Sequence, residues 1–125
     1  MSSYAKYNSL GGDKKPKFQE DSSVCQTIKT MDQKNKMINS NALCIVDVYA
    51  DWCGPCKQVA PLFQDLAKKY GRNGLCAFAR ENVDDKLTEG IRGIPVFFFY
   101  KNGVLVDSVT GADINAIENK VVQLL

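Results

Sequence analysis

The chain has 125 residues, 45% of them hydrophobic and 24% charged, with sixteen Lys plus Arg against fourteen Asp plus Glu for a net charge of +2. That balance describes one soluble domain that folds without a metal or disulfide staple, and it argues against disordered, fibrous and membrane classes and against the strong basic field of a nucleic-acid binder. Histidine is absent, which excludes Ser-His-Asp and Cys-His catalysis, His-liganded zinc and a histidine pH switch, and leaves proton transfer to Asp, Glu, Lys, Tyr or Cys.

Residues 1–21 carry Ser2, Ser3, Asn8, Ser9, Gly11, Gly12 and the basic run Lys14-Lys15-Pro16-Lys17. Such a composition buries too little apolar surface to order itself, so the segment reads as a polar, disordered leader to a domain over 22–125. It holds no apolar run for a signal-peptide core and no Arg for a transit peptide, and a cytoplasmic location is expected. Val24, Gln26 and Ile28 alternate as a short strand, and residues 31–39 follow as a short helix. Residues 43–49, Leu-Cys-Ile-Val-Asp-Val-Tyr, have the near-continuous apolar character of a central strand, interrupted by Asp47. Val59, Leu62, Phe63, Leu66, Ala67 and Tyr70 then recur at helical spacing until Gly71. A strand over 75–81, a brief helical turn over 84–89 and a strand over 96–101 come next. The apolar stretch over 94–100, with three consecutive Phe, is too short to span a bilayer, so no membrane partner is expected. Asn102-Gly103 signals a type I′ hairpin into an antiparallel strand over 104–110, and Ile114, Ile117, Val121 and Leu124 mark a last amphipathic helix. The order is βαβαβαββα, an α/β mixed sheet clad in helices.

Chemistry concentrates in Trp52-Cys53-Gly54-Pro55-Cys56, where the central strand ends and the long helix begins. With Cys53 at the N-cap and Cys56 three residues on, both sulfurs fall on one side of the first turn, close enough for a disulfide. Pro55 suits a helix start, because its φ is already helical and its missing N–H is a donor that the first turn leaves unpaired. The free N–H groups and the helix dipole stabilise a Cys53 thiolate, the nucleophile of disulfide exchange. A lone C-x-x-C is also half a zinc site. There is no second pair and no His, and Cys25, Cys44 and Cys76 fall in three separate predicted strands, so redox chemistry is favoured and no metal is expected.

These residues, together with Val46-Asp47-Val48-Tyr49-Ala50-Asp51 before the motif, Lys57 and Ala60-Pro61 after it, and Gly93-Ile94-Pro95, Lys101-Asn102-Gly103 and Gly111 downstream, resemble the thioredoxin family over about residues 22–125. The resemblance implies the thioredoxin fold, a central mixed sheet of about five strands flanked by about four helices. It implies that Cys53 is the nucleophile and Cys56 the resolving thiol, with Gly54 and Pro55 between them. It places Asp47 behind the second cysteine as a proton-transfer group, its pKa raised by burial, with Lys57 and Arg80 as tuning charges. Arg80 stands where many relatives carry Lys. Because Arg keeps its proton, it acts as a fixed charge that lowers Asp47 and partly opposes burial. The Ile94-Pro95 bond is implied to be cis, with Ile94 pairing with an extended client segment, and Trp52, Gly93, Gly111 and Ala112 forming an apolar rim around Cys53. Pro61 is implied to be structural, kinking its helix near Lys57. Tyr49 replaces a second Trp of many relatives, and the 82–90 segment is about one helical turn shorter than in familiar members.

The expected activity is thiol-disulfide exchange: reduction of client-protein disulfides, in the service of electron transport and cell redox homeostasis. Gly-Pro between the cysteines resembles reducing members rather than the oxidising and isomerising relatives, which carry His there. No G-x-G-x-x-G is present, so electrons from NADPH or another donor would arrive through a separate thioredoxin reductase, with no bound cofactor and the protein acting as a monomer. The alternative is a redox-independent binding module of the same fold that docks on a partner.

Overall fold

The computed structural model describes residues 18–125, so most of the expected leader lies outside the described residues. Five strands, β1 (Cys25–Ile28), β2 (Leu43–Tyr49), β3 (Cys76–Asn82), β4 (Val96–Lys101) and β5 (Val104–Thr110), form one sheet. Their order is β1-β3-β2-β4-β5. β3 runs parallel to both β1 and β2, while β4 is antiparallel to β2 and β5 to β4. The hairpin between the last two turns on Asn102 and Gly103, both at positive φ (51° and 83°), as a type I′ turn requires.

Three α-helices are described, α1 (Met31–Asn39), α2 (Gly54–Tyr70) and α3 (Ile114–Leu124). The helical turn expected over 84–89 is instead a single 3-10 turn, Val83–Asp85. The Asn82 side chain caps it by accepting from the Asp84 N–H, and Lys86 at φ 55° turns the chain away before an α-helical turn closes. Gly71 ends α2 as expected but not by a left-handed twist, since its φ is −61°. There the chain passes so close to the helix that a Cβ would stand 2.4 Å from the Ala67 carbonyl oxygen.

Alternation along β2 sends Leu43, Ile45, Asp47 and Tyr49 to one face and Cys44, Val46 and Val48 to the other. The first face packs with Phe63 and Val59 of α2, Phe78, Phe97, Phe99 and Ile117 of α3. Phe63 sits 5.4 Å, centroid to centroid, from both Phe78 and Phe97. The second face packs against Ile38 of α1, with Ile28, Ala79 and Val96. β2 is thus buried along its whole length at the centre of the sheet, and it carries the start of α2.

Residues 19–21 belong to the segment assigned to the leader, yet they are fastened to the domain. The Gln64 side chain of α2 donates to the Gln19 carbonyl (3.1 Å) and accepts from the Asp21 N–H (2.7 Å). The Asp21 carbonyl in turn accepts from the N–H groups of Val24 and Cys25 at the start of β1.

Candidate active site

β2 delivers the chain to Ala50, whose carbonyl accepts from the Cys53 N–H at 3.2 Å, and this turn presents Cys53 as the N-cap of α2. The Cys53 Sγ accepts from the Cys56 N–H at 3.2 Å, so a sulfur takes the place of the capping oxygen. A disulfide joins Cys53 and Cys56, with Cα atoms 5.3 Å apart. Pro55 lies in the first turn. A Cβ on Gly54 would meet nothing within 4 Å, which leaves the approach over the disulfide open. Trp52, at 70% exposure, stands in solvent beside the pair rather than in the core. On reduction, the free N–H groups of this turn and the helix dipole favour a thiolate at Cys53.

Opposite the pair, the Ile94–Pro95 bond is cis. Ile94 packs on the small cluster formed by Tyr49, Ala50, Cys53 and Cys56. The Pro95 carbonyl accepts from the Gly111 N–H at 2.8 Å. Gly111 sits at φ +99°, a conformation that favours glycine. Gly93 and Ala112 are exposed on the same two connections, with the Thr110 side chain 3.8 Å from where a Cβ on Gly93 would be. The structure therefore brings Cys53, Cys56, Ile94, Pro95 and Gly111 into one neighbourhood. Lys57 and Arg80 face elsewhere, lining a cavity of about 470 Å³ behind the pair with Glu20, Tyr49, Cys56 and Ala60.

Asp47 is fully buried, and its Oδ2 accepts from Arg80 Nε at 3.2 Å. Its Oδ1 is buried without a hydrogen-bond partner among the described residues. Burial pushes the carboxyl up to about 6, against the pull of the Arg80 charge and its hydrogen bond. A carboxyl in that range exchanges protons near neutral pH, as a general base for a thiol must. Arg80 is itself 7% exposed. Its guanidinium lies 3.8 Å from the centre of the Tyr49 ring, and its Nη1 donates to Glu20 Oε1 at 2.6 Å.

Sequence reasoning missed Glu20 and Gln64, the first because it sits in a polar stretch and the second because it is polar on a helix read for its apolar stripe. It also missed a buried ion pair, Lys34 Nζ to Glu81 Oε1 at 2.7 Å. Thr88 joins this pair by accepting from Lys34 and donating to Glu81 Oε2 at 2.6 Å. One signal was available: Arg80-Glu81-Asn82 ends a strand whose first half is apolar, as Asp47 interrupts β2. Among the described residues no cluster of His, Cys, Asp or Glu is arranged to hold a metal ion, and no helix is long and apolar enough to cross a membrane.

A family model described as Thioredoxin matches residues 24–123. The chain is 39% identical over 102 residues to a thioredoxin of Coprinus comatus, a match covering 78% of this chain and 95% of that one. It is 36% identical over 95 residues to thioredoxin H4 of Arabidopsis thaliana, covering 73% and 78%. Its structure is similar to that of Plasmodium falciparum thioredoxin, with a TM-score of 0.71 at 34% identity over 78% of this chain and 96% of that one.

Proposed function

The chain belongs to the thioredoxin family and is a thiol-disulfide oxidoreductase by that membership, and from this premise we propose that it reduces the disulfides of client proteins. The observation that carries the reading is the disulfide at the N-terminus of α2, with Cys53 as the cap and the cis Ile94–Pro95 bond opposite. In the reduced protein the Cys53 thiolate attacks one client sulfur. A mixed disulfide forms, the client S–S bond breaks, and the departing client sulfur leaves as a thiolate that takes a proton from water. Asp47 takes the Cys56 proton, and the Cys56 thiolate attacks the Cys53 sulfur. The second client sulfur leaves and is protonated, and the chain is left with its Cys53–Cys56 disulfide, two electrons having passed to the client.

Trp52, Gly93, Ile94, Gly111 and Ala112 would receive an extended client segment, in the manner of an added strand. Two electrons and two protons must then return. A thioredoxin reductase drawing on NADPH or another donor is the partner we assign to that step, with the protein working as a monomer. Three unpaired thiols in the core, Cys25, Cys44 and Cys76, support a reducing compartment such as the cytoplasm.

The test is dithiothreitol-driven reduction of insulin disulfides by the intact chain beside Cys53→Ser. Catalysis by the intact chain and its loss in the variant are expected. A folded intact chain that gives no acceleration would overturn the reductase reading in favour of a redox-independent docking module.

A further inference from the structure

Arg80 is shared between two carboxylates that are 27 residues apart in sequence, Glu20 and Asp47 (47 − 20 = 27), and its two contacts use different nitrogens, Nη1 and Nε. The Glu20 contact is built rather than incidental. Gln64, 8% exposed, grips the backbone on both sides of it, at the Gln19 carbonyl and the Asp21 N–H. Those two bonds fix where residue 20 starts, and its carboxylate meets the guanidinium at 2.6 Å. We propose that Glu20 is a positioning residue of the redox site, held by Gln64 so that it divides the Arg80 charge with Asp47 and sets the pH range over which Asp47 exchanges its proton. The proposal rests on the reading of Asp47 as the group that takes the Cys56 proton.

The sign follows from the charges that face Asp47. Arg80 approaches from β3, Cys25 from β1 and Tyr49 from β2, and the cavity that Arg80 and Glu20 line also carries Asp51 before α2 and Cys56 and Lys57 within it. The β4 residue in register with Asp47 is the uncharged Phe97. Arg80 is therefore the cation in direct contact with Asp47, and it favours the carboxylate. Glu20 offsets part of that field. Neutralising Glu20 leaves the whole Arg80 charge to Asp47, stabilises the carboxylate and moves its titration to lower pH. Arg80 stays in place when this happens, because the Tyr49 ring and the Asp47 bond hold it from the other sides and Gln at position 20 keeps an acceptor.

The experiment is a carbon-13 carboxyl titration of Asp47 in the oxidised full-length chain, with Asp47→Asn identifying the resonance. Glu20→Gln is expected to move the midpoint down by about half a pH unit at low ionic strength, a modest shift because Glu20 is 54% exposed. High salt is expected to shrink the difference. Gln64→Leu, which leaves Glu20 in the chain but removes both grips, is expected to give the same downward shift, and the double variant no more than either single one. An unchanged or raised midpoint in Glu20→Gln overturns the proposal, even if its Tm falls, because the residue is then only a tether. A wild-type midpoint in Gln64→Leu overturns the role of the grip. The titration needs no client, so failure of insulin reduction would be a separate result from failure of this shift.

Discussion

Burial pushes Asp47 up to about 6 from an ordinary 3.8, so the folded chain binds this proton more tightly than the unfolded one. A raised carboxyl pKa gives stability that is present in full below the unfolded value and is lost as pH rises through the folded one. Between about pH 4 and pH 6 Asp47 therefore draws stability down, and above that range the loss is on the order of 2 to 3 kcal/mol. Asp47→Asn is expected to be more stable than wild type by about 2 kcal/mol at pH 8, with the two converging below about pH 4. Arg80 is not left stranded in the variant, because Glu20 still accepts from it. Under the proposed role of Asp47 as the group that takes the Cys56 proton, the same change is expected to slow client reduction by about tenfold or more at neutral pH. Urea unfolding across pH, paired with turnover, checks both. Equal stabilities at pH 8 would show that the charge is not held at the cost inferred, and a gain in stability with a loss of rate is the pattern of a site kept for chemistry.

Elements are where local pattern and long-range contact part company. The run that forms β2, the stripe of α2 and the Asn102-Gly103 turn are each set by neighbours a few residues away, and all three were legible. So was the place of Cys53, since a strand end followed by a helix start fixes a cap. Glu20 was not, because its partner Arg80 lies 60 residues on and composition alone puts it in a leader. The 3-10 turn Val83–Asp85 stands where a longer helical turn over 84–89 is expected, because the left-handed Lys86 that ends it has no sequence signal. The Lys34 and Glu81 pair was legible only as the charged end of a strand whose first half is apolar, with nothing to mark Lys34 as its partner, and it joins α1 to β3 while Thr88 ties in the connection that leads to cis-Pro95. Lys34→Met is expected to strip Glu81 of its counter-charge and destabilise the fold by about 3 kcal/mol, whereas Lys34→Met with Glu81→Leu is expected to recover most of that. Denaturant midpoints of the two variants decide it. A single variant within about half a kcal/mol of wild type would mean that Glu81 relaxes to solvent.

Across the whole molecule, Cys25, Cys44 and Cys76 sit on three adjacent strands and serve as reporters of how the sheet opens. Burial pushes their thiols up to about 12, 12 and 11, and only a thiolate reacts. Native labelling is therefore blocked twice, by access and by protonation, and has to pass through an opened state. The strands do not share one opening cost. β1 is a four-residue strand at the sheet edge, hydrogen-bonded to β3 alone, while β2 is central and buried throughout. Alkylation of the oxidised chain at pH 8, followed by peptide mapping, is expected to modify Cys25 faster than Cys44, because fraying of an edge costs less than global unfolding. Labelling of Cys44 then measures the global equilibrium, when reclosing is fast relative to reaction. That links the core to the site: if Asp47→Asn adds about 2 kcal/mol at pH 8, it is expected to slow Cys44 labelling by about thirtyfold, and to slow Cys25 less. Equal rates at the two cysteines in wild type would show instead that the edge and the centre of the sheet open as one unit, with Asp47 felt equally by both.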